Sequence, residues 1–246
     1  MPHRMFVPVP AGLDPVEAVA LVLNYITAYQ MLHRSAKVKP GQRVLIHGAS
    51  GGVGTAFLQL GSLAGVEMYG TCSAQAATVV EKLGATPIDY RNADFVQEIR
   101  RFTGDGVDAV FDGIGGDNLW RSREALREGS RVVVYGFQAK LRGERMASGA
   151  SSGRHPIRES AILGWYIVRN LFLPGRKSMV PYSIQWMMRL KPKWFHGDLL
   201  TLFGLLQQKK VKPLIAQRLP LSQARYAHEL LGGGGVIGKI VLIPNG

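Results

Sequence analysis

Residues 43–54 read Arg43-Val-Leu-Ile-His-Gly-Ala-Ser-Gly-Gly-Val-Gly54. An apolar run ends in a glycine-rich turn, and an amphipathic stretch carrying Val53, Phe57, Leu58, Leu60 and Leu63 follows at once. That order is a strand, a tight turn and a helix. Within it, Ala49-x-Gly51-x-x-Gly54 is a close variant of a dinucleotide-binding fingerprint. The first position permits a tight turn, Gly51 lets backbone approach a pyrophosphate, and Gly54 lets the helix pack closely on the strand. The unpaired N–H groups and the dipole of the helix start then face phosphate. The chemistry expected here is binding of NAD(P). The same residues also fit a second frame: Gly48-x-Ser50-x-Gly52 matches a hydrolase nucleophile elbow, and Asp198 and His228 follow in the required order. That elbow normally comes after several strands, whereas this is the first strand of the series, so the nucleotide reading is preferred.

Which nucleotide binds is legible about 20 residues past the turn, where sites preferring NAD place an acid on the ribose 2′-hydroxyl. The second strand here ends Tyr69-Gly-Thr-Cys-Ser73 with no acid, and Glu67 comes earlier. An uncharged end suits a 2′-phosphate, so NADP(H) is expected in preference to NAD(H). Ser73 has an alternative reading as a helix N-cap. A metal centre is not expected. There is one cysteine, Cys72, and the six histidines (His3, His33, His47, His155, His196, His228) show no paired spacing. His47 ends a buried strand and reads as structural, and Asp108 and Asp112 read as strand-end turn residues rather than catalytic ones.

The elements that must position the turn alternate along the chain. Asp14-Pro15-Val16-Glu17 is a helix start, with an acid at the N-cap and proline at the first position, and the helical pattern runs toward Leu32. Strands are predicted at Val44–His47, Met68–Cys72, Thr86–Asp89, Val107–Asp112 and Arg131–Tyr135. Helices are predicted at Ala74–Leu83, Phe95–Phe102 and Asp117–Leu126. Alternation of this kind implies an α/β fold with a doubly wound parallel sheet, a Rossmann fold, and puts the glycine turn at the ligand crevice. From Lys140 to about Pro181 the order breaks down into glycine, serine and arginine, then an apolar, aromatic and basic stretch, Trp165–Pro174. Tyr182–Leu190, Asp198–Gln208 and Leu221–Leu231 look helical, and Val211–Ile215 and Lys239–Ile243 look like strands.

Bulk composition narrows the class. With 46% hydrophobic residues in 246, the chain can bury a core. A single cysteine excludes an intramolecular disulfide and fits a reducing compartment, and no apolar run follows Met-Pro-His-Arg-Met-Phe as a signal peptide requires, so a cytoplasmic protein is expected. Residues 44–66 carry no formal charge, but the glycine turn at their centre argues against a membrane helix. Of the net charge of +13, most lies in residues 121–195, which hold fifteen Lys/Arg against four acids. Such a field attracts phosphate, acidic lipid or RNA, or else serves as a solvated surface.

The order of motifs resembles the medium-chain dehydrogenase/reductase superfamily, in particular its zinc-independent quinone-oxidoreductase-like branch. The matching pieces are Thr27-Ala-Tyr-Gln-Met-Leu32, Val38-Lys-Pro-Gly41, Val44 to Gly54, Leu83-Gly-Ala85, Ile88-Asp-Tyr90, Gly106-Val-Asp108, Phe111-Asp-Gly-Ile-Gly-Gly116, Val133-Val-Tyr-Gly136 and Gly238-Lys-Ile-Val-Leu242. Residues 140–195 fit the general pattern poorly and look like the elaborated loop of relatives of the vesicle amine transport protein. The resemblance implies that residues 26–219 form the NAD(P)-binding domain with a basic, aromatic insertion at 140–195. It implies that residues 1–25 and 220–246 are remnants of a GroES-like catalytic domain, most of which has no counterpart here. A natural short form, a fragment or a late-started gene model would each account for that.

By the same resemblance, Thr27 faces the nicotinamide, and Gly51, Gly52 and Val53 meet the pyrophosphate. Ser73, Tyr90 and Arg91 line the 2′-phosphate pocket, although the basic residue common a few positions after the serine is here Ala76 or Ala77. Gly113, Ile114, Gly136, Phe137 and Gln138 flank the ribose and nicotinamide. Zinc-dependent relatives carry a cysteine just before the Thr27 motif, and Ala20–Tyr25 has none. The implied reaction is direct hydride transfer from NADPH to a quinone or an enone, the cofactor carrying the chemistry. Asn24 and Tyr25 are the nearest candidates for a proton donor. Family members often pair through the sheet edge, so a homodimer is a further expectation. The rival expectation is a non-catalytic NADP(H)-binding scaffold or sensor whose basic segment meets a membrane, RNA or a protein.

Overall fold

Proline 15 and Asp14 open the first helix as the sequence predicts: the Asp14 carboxylate accepts from Val16 N at 2.9 Å, and proline fills the first position, where no N–H is needed. In this computed structural model, which describes residues 7–135 and 177–244, that helix runs unbroken to Ala36. It passes from α1 (Pro15–Ala20) through a wider π-type stretch to α2 (Ile26–Gln30) and a second π-type stretch, and stops at Lys37 in the left-handed conformation.

The strands and helices that follow are β1 (Arg43–His47), α3 (Gly52–Leu63), β2 (Glu67–Cys72), α4 (Ala77–Lys82), β3 (Ala85–Asp89), α5 (Phe95–Thr103), β4 (Val107–Asp112), α6 (Asn118–Glu124) and β5 (Leu126–Val134). Beyond the undescribed stretch come β6 (Ser178–Pro181), α7 (Ile184–Leu190), α8 (Pro192–Gln207), β7 (Ile215–Pro220), α9 (Ala224–Gly233) and β8 (Lys239–Ile243). The first six strands form one parallel sheet in the order β3-β2-β1-β4-β5-β6. This is the doubly wound Rossmann order, in which the sequence of strands reverses between β1 and β4.

Alternation along each strand sends side chains to opposite faces, and both faces are dry. Val44, Ile46, Ala109, Phe111 and Val133 join one apolar cluster with the helix 15–36, α3 and α8. Leu45, Val110, Val132 and Val134 join a second with α5 and α6. Covering on both sides is what makes near-continuous apolar strands possible in a parallel sheet.

Several boundaries differ from expectation: β5 begins at Leu126 rather than Arg131, so α6 stops at Glu124, and α7 begins at Ile184 rather than Tyr182. β6 was read as irregular because Ser178-Met-Val-Pro181 is short and ends in proline, a combination that survives only at a sheet edge, where β6 lies. The strand expected at Val211–Ile215 starts instead at Ile215 and runs to Pro220. It pairs only with β8, in a separate two-stranded parallel sheet. Helix α8 begins at Pro192 rather than Asp198, with proline at its first turn.

Candidate functional site

The carboxyl ends of β1 and β4 border the switch point, and the two most glycine-rich turns of the sheet leave from them. Gly48 takes φ +69°, a backbone region that a side chain disfavours. Its carbonyl accepts from Gly51 N at 3.0 Å and Ala49 N donates to Thr71 O at 2.9 Å, which ties the turn to the end of β2. A Cβ on Gly54 would overlap the backbone of Gly48 and Ala49, so glycine is the residue that lets α3 start this close to the strand. Ala49 itself packs into the space over Gly70. Gly52, Val53 and Gly54 bring N–H groups that have no partner within the helix. A pyrophosphate fits this cradle, because its needs are close backbone approach and unpaired donors.

The second turn, 113–116, is organised by Asp112. Its Oδ1 accepts from Ile114 N (2.8 Å) and Gly115 N (2.9 Å), and its Oδ2 accepts from Asn118 Nδ2 (3.0 Å) and Ser122 Oγ (2.7 Å). Gly113 has a local reason to be glycine: a Cβ there would press on the ring of Tyr135, the residue that follows β5. Tyr135 is partly buried, and burial, with the nearby Asp112 carboxylate, pushes its phenol well above the usual tyrosine range. Sequence reasoning missed it as a neighbour of the site, although it stands inside the motif Val133-Val-Tyr-Gly136.

At the far side of the crevice, Ser73 follows β2 and Tyr90-Arg91 follows β3, and the register pairs Cys72 with Asp89. Tyr90 N donates to Cys72 O at 3.2 Å, and the Arg91 guanidinium lies 5.7 Å from the centre of the Tyr90 ring. The three are therefore brought together. Ser73 stands at an N-cap position, yet its hydroxyl makes no capping bond, so its oxygen is not spent on the helix. Burial raises the pKa of the neighbouring Cys72 thiol.

Helix 15–36 lies against the glycine turn. A Cβ on Gly52 would collide with the Asn24 carboxamide, so Asn24 sits directly on the turn. Tyr25, its neighbour, is buried with its phenol beside Gln59, well down α3, and burial raises its pKa. Of the two proton-donor candidates only Asn24 is at the crevice. Thr27 is buried beside Tyr182, which follows β6. Tyr182 donates to Gln30 Oε1 (2.9 Å), and Gln30 Nε2 donates to Asp198 Oδ2 (2.8 Å). Arg34 clasps Asp198 through Nε (2.8 Å) and Nη2. Neither Tyr182 nor Asp198 could be linked to Thr27 and Gln30 from sequence, because partners more than 150 residues apart leave no local trace.

Asp198 is thus committed to Arg34 and Gln30, and His228 is exposed on α9, so the hydrolase arrangement is not assembled. Asp108 accepts from Gln42, from Arg43 N and from Arg127, a strand-end anchor as expected. Gly136, Phe137 and Gln138, and most of the insertion 140–195, lie outside the described residues.

The Zinc-binding dehydrogenase family matches residues 83–242. The chain belongs to the medium-chain dehydrogenase/reductase superfamily, in its quinone-oxidoreductase-like branch. It is 32% identical to the synaptic vesicle membrane protein VAT-1 homolog-like of Mus musculus, over 95% of this chain and 55% of that protein. It is 34% identical to a 2-haloacrylate reductase of a Burkholderia species, over 97% of this chain and 66% of that one. Among solved structures, Escherichia coli quinone oxidoreductase complexed with NADPH superposes with a TM-score of 0.77 at 29% identity, covering 97% of this chain and 68% of that one. The chain therefore spans a little over half the length of the VAT-1 relative. Among the described residues no group of three His, Cys, Asp or Glu side chains converges. No described helix is long and apolar enough to cross a membrane.

Proposed function

We propose that this chain binds NADP(H) across the β1–β4 switch point and serves direct, zinc-independent hydride transfer to a quinone or an activated C=C bond. The observation that carries the reading is the glycine turn at the strand reversal, where backbone holds Gly54 to glycine, the Gly48 carbonyl crowds Gly51 and the Asn24 carboxamide lies against Gly52. An NADPH complex of similar fold supports it. When bound, the nicotinamide supplies the hydride. The chain's own residues bind and orient: N–H groups of Gly52 and Val53 toward the pyrophosphate, the 113–115 turn toward the ribose, Thr27 toward the nicotinamide. Of the two candidates Asn24 lies on the turn, at Gly52; its carboxamide has no transferable proton, so it would orient a water there rather than supply the proton itself.

Preference for NADP(H) rests on charge. The end of β2 presents the free Ser73 hydroxyl with Arg91 nearby, and Glu67 stands at the opposite end of the strand. An acid at Ser73 would repel the 2′-phosphate that distinguishes the two nucleotides. We take residues 1–25 and 220–246 as GroES-like remnants; the separate β7–β8 sheet supports such a unit, although β7 begins at Ile215, before that boundary, and β6 as the last strand of the larger sheet supports a homodimer through its edge.

The test is a titration of NADPH and NADH followed by nicotinamide fluorescence, then a panel of quinones and enones. Tight NADPH binding with turnover is the expected result, and no binding of either nucleotide would overturn it. A second reading, a non-catalytic NADP(H)-holding scaffold, is favoured by one feature. Trp194 is 41% exposed, with Arg34 at 4.4 Å and Lys191 at 5.4 Å from its ring, within the basic segment. Binding without turnover, together with steeply salt-dependent attachment to anionic vesicles or RNA, would favour it.

A further inference from the structure

Four buried polar side chains join the two turns of the crevice, and with Asp112 ionised and the imidazole neutral their hydrogens can be arranged in only one way. His47 ends β1, Asp112 ends β4, Thr71 lies beside His47 in β2, and Ser122 reaches in from α6. All four are at most 3% exposed, so water does not compete for their bonds. An Asp112 carboxylate can only accept, so Ser122 Oγ donates to it at 2.7 Å. Ser122, its proton spent, must accept from His47 Nε2 at 2.9 Å. In the neutral ring, Nδ1 is then an acceptor, and Thr71 Oγ1 donates to it at 3.1 Å. Thr71 Oγ1 in turn accepts from Gly48 N at 3.2 Å, and the Gly48 carbonyl holds Gly51 N. At its other end, Asp112 holds Ile114 N and Gly115 N. Phe95 meets the imidazole edge-on at 4.7 Å and keeps the ring from turning.

We propose that His47 and Ser122 are positioning residues for the dinucleotide: the relay Gly48–Thr71–His47–Ser122–Asp112 locks the pyrophosphate turn and the ribose turn into one register across the switch point. This rests on the nucleotide-binding reading given above. The relay side chains are buried; the relay acts by fixing which way backbone N–H groups point in the free protein, so that binding requires little reordering. A neutral, Nε2-protonated imidazole is essential to it. A charged ring would donate from Nδ1 as well, so the Thr71 proton would have to turn away from the ring to another acceptor, while Gly48 N, which can only donate, would keep Thr71 Oγ1 as its acceptor. The charged groups facing the ring are Asp112 from β4, which favours protonation, and Arg121 from α6, which opposes it; burial opposes it most.

The experiment compares Ser122→Ala, Ser122→Thr and the parent chain by NADPH fluorescence titration, with the His47 ring nitrogens followed by 15N NMR. The expected result for Ser122→Ala is an affinity loss of about tenfold, ~1.4 kcal/mol, with Ser122→Thr recovering part of it through its hydroxyl. A control core variant in α5, Ile99→Val, lowers stability without moving NADPH affinity. In the parent chain at neutral pH the NMR signature is the neutral Nε2–H tautomer. Should Ser122→Ala fail to fold, that signature decides: a charged ring or an Nδ1–H tautomer overturns the relay. Unchanged NADPH affinity in folded Ser122→Ala overturns the inference while leaving nucleotide binding intact. Failure of the parent chain to bind either nucleotide overturns the function instead.

Discussion

Gly54 is the residue with the least freedom in the crevice. The atoms a methyl group would strike there belong to the backbone of Gly48 and Ala49, which cannot swing aside as a flexible side chain can. Gly54→Ala is expected to destabilise the chain by about 1–3 kcal/mol and to abolish NADPH binding, as read by urea denaturation and fluorescence titration. Ser73→Asp tests nucleotide choice at the same scale. It is expected to raise the Kd for NADPH tenfold or more, ~1.4 kcal/mol for each tenfold, and to leave NADH binding unweakened. Equal losses for both would remove the 2′-phosphate from this position. His47 supplies a pH signature. Burial holds its folded pKa below the ordinary 6.5, so between those two values the unfolded chain binds the extra proton and the folded chain does not. The stabilisation is complete above pH 6.5 and declines as pH falls from there toward the folded value. Chemical denaturation from pH 7.5 to 5 is expected to show this slope, and His47→Gln to reduce it. The glycines of the first turn were legible from spacing because a sharp turn leaves its steric demands in the local sequence. The partners of His47 were not, since Ser122 and Thr71 meet it only after the sheet has formed.

Elements were read correctly where an apolar run or an amphipathic pattern was sharply bounded. β1, β2, β4, α3 and α5 each carry a clear pattern bounded by glycine, proline or an acidic cap. β6 and β7 were misplaced because what makes them strands is a neighbour: β5 for one, β8 for the other. The helix 15–36 illustrates the same divide. Its start was evident in Asp14-Pro15, but its π-type stretches and its tie to α8 were not. That tie is the buried Asp198, gripped by Arg34 and Gln30. Asp198→Ala would leave the guanidinium and the Gln30 amide without their acceptor, and a loss of about 3 kcal/mol is expected, seen as a lower urea midpoint. Arg225→Ala, at the exposed pair with Glu229, is expected to stay within about 0.5 kcal/mol. Gln30 carries no transferable proton between Tyr182 and Asp198, so this network orients Tyr182 rather than conducting charge.

On the scale of the whole molecule, burial is uneven. The strands β1 and β4 are sealed on both faces, whereas β7 has no buried residue and α9 only Ala227. Native-state hydrogen exchange is expected to show the slowest amides in β1 and β4 and the fastest in β7 and α9. That weakly anchored C-terminal unit nonetheless reaches back to the start of the sheet. Gly238 N donates to Ser50 O at 2.9 Å, and Gly51 bridges to Gly238. The contact closes a loop of most of the chain's length, and such closures come late because entropy must be lost before they are rewarded. During synthesis, a nascent chain short of residue 238 would have its sheet but an unfastened glycine turn, so the nucleotide binding proposed above would become possible only once residue 238 had emerged and reached Ser50.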